Sequence, residues 1–509
     1  MTSLAAHFPR LTGAVALAAL GAAASAQCTY TWPTAAFGTG VDAQVRAATT
    51  RPNGDLVVGG YLQNAGGVAT SFVATWNGTG WAPLGSGVNF LVQALTTMPN
   101  GDVIAAGNFD TAGGVTARCV ARWNGTQWSA LGAGIDAPLP VFTAAHALAV
   151  APNGDLLVGG DFLSAGGVPC NRIARWNGTT WQALGTGVDG SVRAVAVTPN
   201  GDVFVAGSFA TAGGVAASGV ARWNGSQWSG LGTGLGFFGA NALAALPNGD
   251  VVAGGVFTLA GGVPANRVAR WDGTQWNALG SGLDGICNEL LALPNGWLAA
   301  GGSFQHAGGV AAPRVAVWDG AAWHGLGGGA DNGSVQALAF GPALELVIAG
   351  DFTSAGGSAA GRVARVGSSC TPTSAPFGSG CTGSGGLNTL VPLTLPWVDA
   401  TFRATASGLT TFGFAVALTS VTAVPPGVVP LGTVFPQALP GCDLLVAPDI
   451  LETLVTLTGT VTSTLFLPDT PPLVGVTFYH QVVTIELDLQ GSWTAITATN
   501  ALQLTAGGF

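Results

Sequence analysis

His146-Ala-Leu-Ala-Val-Ala-Pro-Asn-Gly-Asp155, Leu156-Leu-Val-Gly-Gly-Asp-Phe162, Ala165-Gly-Gly-Val168, Arg172-Ile-Ala-Arg-Trp-Asn-Gly-Thr179 and Trp181-Gln-Ala-Leu-Gly185 together form one copy of a unit that recurs along this chain. The copy divides into four short β-prone runs, a to d. Run a alternates up to the proline, and Pro-Asn-Gly-Asp joins it to b, because Asn-Gly readily takes the positive φ angles of a tight hairpin. Run b closes on Gly-Gly, an Ala-Gly-Gly loop leads to c, and Trp-Asn-Gly turns c into d.

Working outward, Pro52, Pro99, Pro152, Pro199, Pro247, Pro294 and Pro342 mark seven copies, separated by 47, 53, 47, 48, 47 and 48 residues. No copy has room for a crossover helix of about a dozen residues, which excludes parallel α/β architectures. Four-run units of this length have the period of propeller blades. The expected fold is all-β: a seven-bladed β-propeller over 27–370, closed by an N-terminal strand and followed by a C-terminal β-sandwich. Residues 371–388 are expected to link the two, with the sandwich over 389–509.

Closure is expected from the ends. The seventh copy stops at Val363-Ala-Arg-Val366, with Gly367-Ser-Ser-Cys370 where run d should begin. Phe37-Gly-Thr-Gly-Val-Asp42 matches Leu184-Gly-Thr-Gly-Val-Asp189 and is expected to supply the missing strand d, removing the open sheet edges. Cys28 and Cys370 flank this junction and are an expected disulfide. Cys119 and Cys170 fall at nearby positions of adjacent copies and are a second expected pair; Cys381 and Cys442 are a third, leaving Cys287 alone.

Arg10, the apolar run Leu11 to Leu20 and Ala24-Ser25-Ala26 read as an export signal over 1–26. No later apolar run is long enough to span a bilayer, so a secreted or envelope-associated protein without a transmembrane segment is expected. Only 8% of residues are charged, lysine is absent, and 15 arginines face 24 acids. This balance, without a basic cluster, argues against nucleic acid as a partner. Sixteen tryptophans and 23 phenylalanines argue against disorder.

Most recurrent residues have structural explanations. The pairs Trp76/Trp81, Trp123/Trp128, Trp176/Trp181, Trp223/Trp228, Trp271/Trp276 and Trp318/Trp323 fill the gaps between blades; a ring of carbohydrate-stacking aromatics is the alternative. Blade seven has Val366 at the first of these positions and Trp32 near its incoming segment. Arg122, Arg175, Arg222, Arg270 and Arg365 are expected to pair with aspartates before strand a, such as Asp136, Asp189 and Asp284. Asp55, Asp102, Asp155, Asp202 and Asp250 are turn formers, and one carboxylate per turn is a poor calcium cage.

The repeat resembles the kelch-like β-propellers, on the strength of Gly159-Gly160 ending strand b, Ile173 to Trp176 as strand c, and Trp181-Gln-Ala-Leu184 in strand d. The Ala-Gly-Gly loop, the Pro-Asn-Gly-Asp turn and the ending Phe478-Tyr-His-Gln and Thr499-Asn-Ala-Leu-Gln-Leu-Thr505 resemble secreted repeat proteins of Planctomycetes-type bacteria. The first resemblance implies architecture, since such propellers range from protein-binding scaffolds to oxidases; the second implies an extracellular or envelope location.

No catalytic constellation is found, and no cofactor or metal is expected. Copper oxidases of this fold need tyrosine, histidine and a cross-linking cysteine together, whereas Tyr30, Tyr61 and Tyr479 are the only tyrosines. Glycoside hydrolysis needs two positioned carboxylates; glutamate occurs only at Glu289, Glu345, Glu452 and Glu486, and most aspartates belong to the repeat. The 53-residue spacing places extra residues in the d–a connection from Asp136 to His146. Asp136, Phe142 and His146 there, with Phe237 and Phe238 in the connection before blade five, are the candidate ligand-binding residues; a plain loop insertion is the alternative. The expected function is non-catalytic binding of an extracellular protein, glycan or envelope component, with a polysaccharide-active enzyme using a top-face pocket as the alternative.

Overall fold

The computed structural model describes residues 30–505 apart from 34–35, 137–144, 294–295, 342–344, 369–372, 378–379, 394–399, 411–412, 421–430, 432–437, 440–441, 447–449, 457–458, 468–476 and 488–492. The export signal over 1–26, Cys28 and Cys370 lie outside these described residues. Every named element is a β-strand. The chain divides into two compact units, one spanning Tyr30–Gly367 and one containing Ser368–Phe509.

The first unit holds seven four-stranded antiparallel sheets among the described residues, each in the order a-b-c-d. In the third, strands Ala145–Val150, Leu156–Gly160, Ile173–Trp176 and Trp181–Ala183 pair through Val150↔Leu156, Leu156↔Trp176 and Trp176↔Trp181. Gly154, at φ 86°, supplies the left-handed residue of the a–b turn. Strand b is buried along its whole length in the third sheet as in the first, consistent with its continuous apolar run. Strand a of each sheet touches strand a of the sheets before and after it, and that of the last sheet (Val335–Phe340) touches that of the first (Val45–Thr50). Strand a is therefore innermost, and the succession of sheets returns to its start.

The second tryptophan of each sheet ties it to the one before. Its indole Nε1–H donates to a main-chain carbonyl of the preceding sheet or of the connection after it: Trp128 to Leu84 at 2.7 Å, Trp181 to Leu131 at 2.9 Å, Trp228 to Leu184 at 2.7 Å, Trp276 to Leu231 at 3.0 Å and Trp323 to Leu279 at 2.9 Å. Trp81 donates in the same way to Phe37 at 2.9 Å, and Trp32 to Leu326 at 3.1 Å. Trp32 lies against Gly356 as Trp323 lies against Gly308; a Cβ on Gly356 would stand 2.3 Å from its ring. Six of these positions are filled by tryptophans from strand d, and the seventh by Trp32.

This placement corrects the expected closure. Strand d of the last sheet is Tyr30–Thr31, paired beside Val363–Ser368, not Phe37–Asp42. Phe37–Asp42 forms the connection into the first sheet, and Val41 bridges Ala65 as Val188 bridges Ala212. The match to Leu184–Asp189 was a match of connections, because Leu184 itself follows strand Trp181–Ala183.

The arginine partners also differ from expectation. Arg122, Arg175, Arg222 and Arg270 pair with Asp102, Asp155, Asp202 and Asp250 of their own a–b turns, and Arg365 with Glu345, at 2.5–3.5 Å. Strand register explains the choice: Arg175 stands opposite Leu157, and Asp155, two residues away, shares that face. Asp189 and Asp284 instead accept main-chain N–H bonds from the following b–c loop, Asp189 from Ala210 and Thr211 and Asp284 from Gln305 and His306. Of the three, Asp136 alone pairs with an arginine, Arg118, at 2.7 Å.

Cys119 and Cys170 share one apolar cluster but remain thiols, correcting the expected disulfide. Cys119 is set in a left-handed backbone at φ 60°, and the Cys170 Sγ faces the Leu163 carbonyl at 3.9 Å. Cys381 and Cys442 are joined as expected.

In the second unit, a six-stranded and a three-stranded antiparallel sheet share a core. Phe402, Ala404 and Ala406 from the smaller sheet meet Ala415, Ala417, Val482, Leu502 and Leu504 from the larger. Strand Thr373–Phe377, within the expected linker 371–388, pairs with Ala501–Thr505 of the larger sheet. Buried His480 is hydrogen-bonded at both ring nitrogens, by Thr419 at 2.7 Å and Ser463 at 2.7 Å, and burial pushes its pKa down to about 4.

Two outcomes are expected. Trp228→Ala should destabilise the ring by about 3–5 kcal/mol and the partly buried Trp32→Ala by less, both measured by chemical denaturation. Because the folded His480 pKa lies below its unfolded value of about 6.5, its environment is fully stabilising above that pH. That contribution is lost as pH falls toward 4, so amide exchange over Thr477–Leu487 in the full chain should accelerate in this window, and less so in His480→Gln.

Candidate ligand-binding face

The a–b and c–d turns lie at one end of the strands; the b–c loops and d–a connections lie at the other. The first end is repetitive and self-satisfied. Asn153 and Asn200 each bond the aspartate two residues on, which in turn pairs with an arginine. The second end is different. Among the described residues of this unit, every exposed large hydrophobic side chain, including Tyr61, Val68, Phe90, Phe237, Phe238 and Leu259, belongs to a b–c loop or a d–a connection.

The same end carries a ring of polar residues. In every sheet the a–b register slips at one residue near the start of strand a, the second in six sheets and the third in Ser191–Val197. Such a bulge leaves one residue out of the ladder and re-aims its side chain. The residues concerned are Arg46, Gln93, His146, Arg193, Asn241, Asn288 and Gln336, all on the innermost strand. Several reach to the next sheet: Arg193 Nη1 donates to Asn241 at 3.5 Å, Asn241 to the Cys287 carbonyl at 3.3 Å, and Asn288 to the Val335 carbonyl at 3.0 Å. His146 Nε2 lies 2.9 Å from Asp161. The Asp161 carboxyl is held below its usual range chiefly by this hydrogen bond.

The sequence-expected residues are only partly brought together. His146 joins the polar ring. Asp136 is instead occupied by Arg118, in strand Ile135–Asp136 paired to Ser164–Ala165. Phe142 lies outside the described residues. Phe237 and Phe238 are 62% and 65% exposed, their rings edge to face at 5.8 Å, on the same end of the strands.

Sequence reasoning missed the rest of the ring and Glu289. Lining up the copies at the second residue of run a would have shown a polar side chain in every one. The third residue is alanine in six copies (Ala47, Ala94, Ala147, Ala194, Ala242 and Ala337) and Glu289 in the sixth. Burial pushes the Glu289 carboxyl up to about 8. No group of three or more His, Cys, Asp or Glu side chains suited to a metal ion occurs among the described residues.

This arrangement of four-stranded sheets around a central line, with strand a innermost, makes the protein a β-propeller. Residues 143–231 match the Rax2 C-terminal beta propeller domain. No curated protein matches the chain significantly. Among solved structures it is similar to the WD40 β-propeller domain of Doa1 (12% identity, 66% of this chain and 96% of that one, TM-score 0.43). It is also similar to YCF48 bound to a D1 peptide (14%, 66% and 96%, TM-score 0.41) and to a fungal alcohol oxidase of the AA5 family with copper (10%, 92% and 99%, TM-score 0.43).

Glu289 gives a direct check. Its folded pKa is raised, so the native state retains a proton that the unfolded chain releases above its ordinary value of 4.5. Stability should therefore fall as pH rises from 4.5 toward 8. Restoring the repeat residue with Glu289→Ala should flatten that slope in denaturation curves taken across this range.

Proposed function

We propose that this is an exported, non-catalytic binding protein: a seven-bladed, kelch-like propeller closed by its N-terminal strand and followed by a β-sandwich. It recognises an extracellular protein, glycan or envelope component through the end bearing the b–c loops. One observation carries this reading. The exposed apolar side chains and the ring of unlike polar residues are gathered on that end, while the opposite end repeats the same internally paired turns. Exposed apolar surface gathered in this way marks interaction sites, and loops on a rigid scaffold are where recognition residues concentrate.

Export is supported by the leader pattern over 1–26 and by the Cys381–Cys442 disulfide, which suits an oxidising compartment. No helix among the described residues is long and apolar enough to cross a membrane. Non-catalytic binding is supported by how the carboxylates near the ring are used: Asp161 bonds His146, and Asp351 accepts from the Ser334 hydroxyl at 2.9 Å.

The mature protein, screened on a glycan array, against envelope extracts and in a polysaccharide hydrolysis assay, should show specific binding without product release. Phe237→Ala/Phe238→Ala should lose that binding with its thermal unfolding unchanged. Release of a hydrolysis product by the wild type would overturn the non-catalytic reading.

A further inference from the structure

Of the four blades with an arginine before strand c, one lacks a contact that the other three make, and a cleft lies beside it. The residue before strand c is an arginine in four blades, at Arg172, Arg267, Arg314 and Arg362, each at a left-handed φ of 66–71°. Three of these reach across to the connection entering the next blade. Arg172 Nη1 donates to the Val188 carbonyl at 3.3 Å, Arg314 Nη1 to Ala330 at 2.6 Å, and Arg362 Nη1 to Val41 at 3.0 Å. The corresponding acceptor for Arg267 is Leu283. Arg267 turns back instead, and its Nη1 donates to Phe257 in its own loop at 3.2 Å. Its buried Nε–H has no acceptor among the described residues.

The space left between Arg267 and the next connection is a cleft of about 320 Å³, walled by Thr258, Asn266, Arg267, Ser281, Asp284 and His306. Both walls are fixed. Asn266 Nδ2 donates to the Ser281 carbonyl at 3.1 Å, and the Leu283 N–H donates to the Asn266 carbonyl at 3.0 Å. In the other wall His306 Nδ1 lies 2.8 Å from Asp284, which also accepts the main-chain N–H groups of Gln305 and His306. Partial burial pushes the Asp284 carboxyl up, but these hydrogen bonds outweigh it and hold the group ionised below its usual range. In the tautomer whose Nδ1–H donates to this ionised carboxylate, Nε2 is an acceptor. The imidazole belongs to the next blade, the sixth, and the corresponding residues of the other blades are Asn64, Thr111, Ser164, Thr211, Leu259 and Ser354.

We propose that this cleft binds a small hydroxylated carboxylate, of the kind presented by a uronic acid residue of an acidic glycan. The carboxylate is taken by the Arg267 guanidinium at the wall of the cleft, and a ring hydroxyl donates to His306 Nε2. Asp284, held by two main-chain N–H groups, orients the imidazole. The volume lies at the small end of ligand sites and suits one sugar ring. This assignment rests on the reading of the b–c face as a recognition surface and gives that surface its ligand chemistry.

The repeat itself supplies variants that should fold. Blade four has Gly219 at the Arg267 position, at φ 75°, so Arg267→Gly is backbone-compatible; His306→Thr copies Thr111 and Thr211. Titration of the full chain with sodium glucuronate, followed by calorimetry and by the Arg267 Nε–H resonance, should show saturable binding, with glucose binding far more weakly. Each variant should weaken glucuronate binding by about tenfold or more, as expected for a lost charge-assisted contact. Arg172→Gly in blade three should leave it unchanged. Undiminished binding in both variants, equal binding of glucose, or no glucuronate binding by the wild type would overturn the assignment. If a different ligand then bound and was lost in Phe237→Ala/Phe238→Ala, the recognition face would stand and only this cleft's chemistry would fall.

Discussion

The hydrogen bond from a buried indole to a carbonyl of the blade behind it is the contact on which the ring depends. It repeats from Trp81 to Trp323 and finishes with the partly buried Trp32 on Leu326. A tryptophan serves this place because it brings a large apolar surface and a single donor, so burial is favourable only where that donor finds an acceptor. The bond therefore sets how each blade seats on the last. It also explains the glycine after each Ala in the b–c loops: at Gly66 and Gly166 a Cβ would come within 3 Å of the indole.

With the blades held at their centres, the two ends of the strands are free to differ. At the a–b end of blades two to five an asparagine, an aspartate and an arginine satisfy one another. At the b–c end the bulge frees one side chain per blade from the ladder, and the seven side chains are not alike. The cleft beside Arg267 arises from the same freedom: the scaffold does not need that arginine to bridge, as Gly219 shows in blade four. Binding chemistry can therefore vary on this end while the core contacts stay fixed.

The repeat period, the four runs per copy and the hairpin turns were legible because Asn-Gly, Gly-Gly and Trp punctuate every copy. The exact closing strand was not. Tyr30–Thr31 is two residues long and carries no repeat signature except Trp32, so the stronger match at Phe37–Asp42 drew attention to a connection. The arginine partners were misassigned because strand alternation gives a side chain's face but not its depth along the strand; the observed register puts Arg175 beside Asp155. Of the site, His146 and the phenylalanine pair could be singled out as departures from the repeat. The polar ring was legible as a polar residue at one place in every copy, but only the bulge, a register feature, shows that these side chains leave the ladder. Glu289 was visible as a letter among alanines, but its burial was not.

The most direct measurement of the central claim is solvent exchange of the indole Nε1 protons in the native protein, resolved by NMR. If Trp32 closes the ring, its proton should be protected to a degree comparable with Trp228 and Trp323 and should lose that protection together with them as denaturant is added. Rapid exchange at Trp32 while the other six remain protected would contradict the closure and, with it, the continuous ring that positions the binding face.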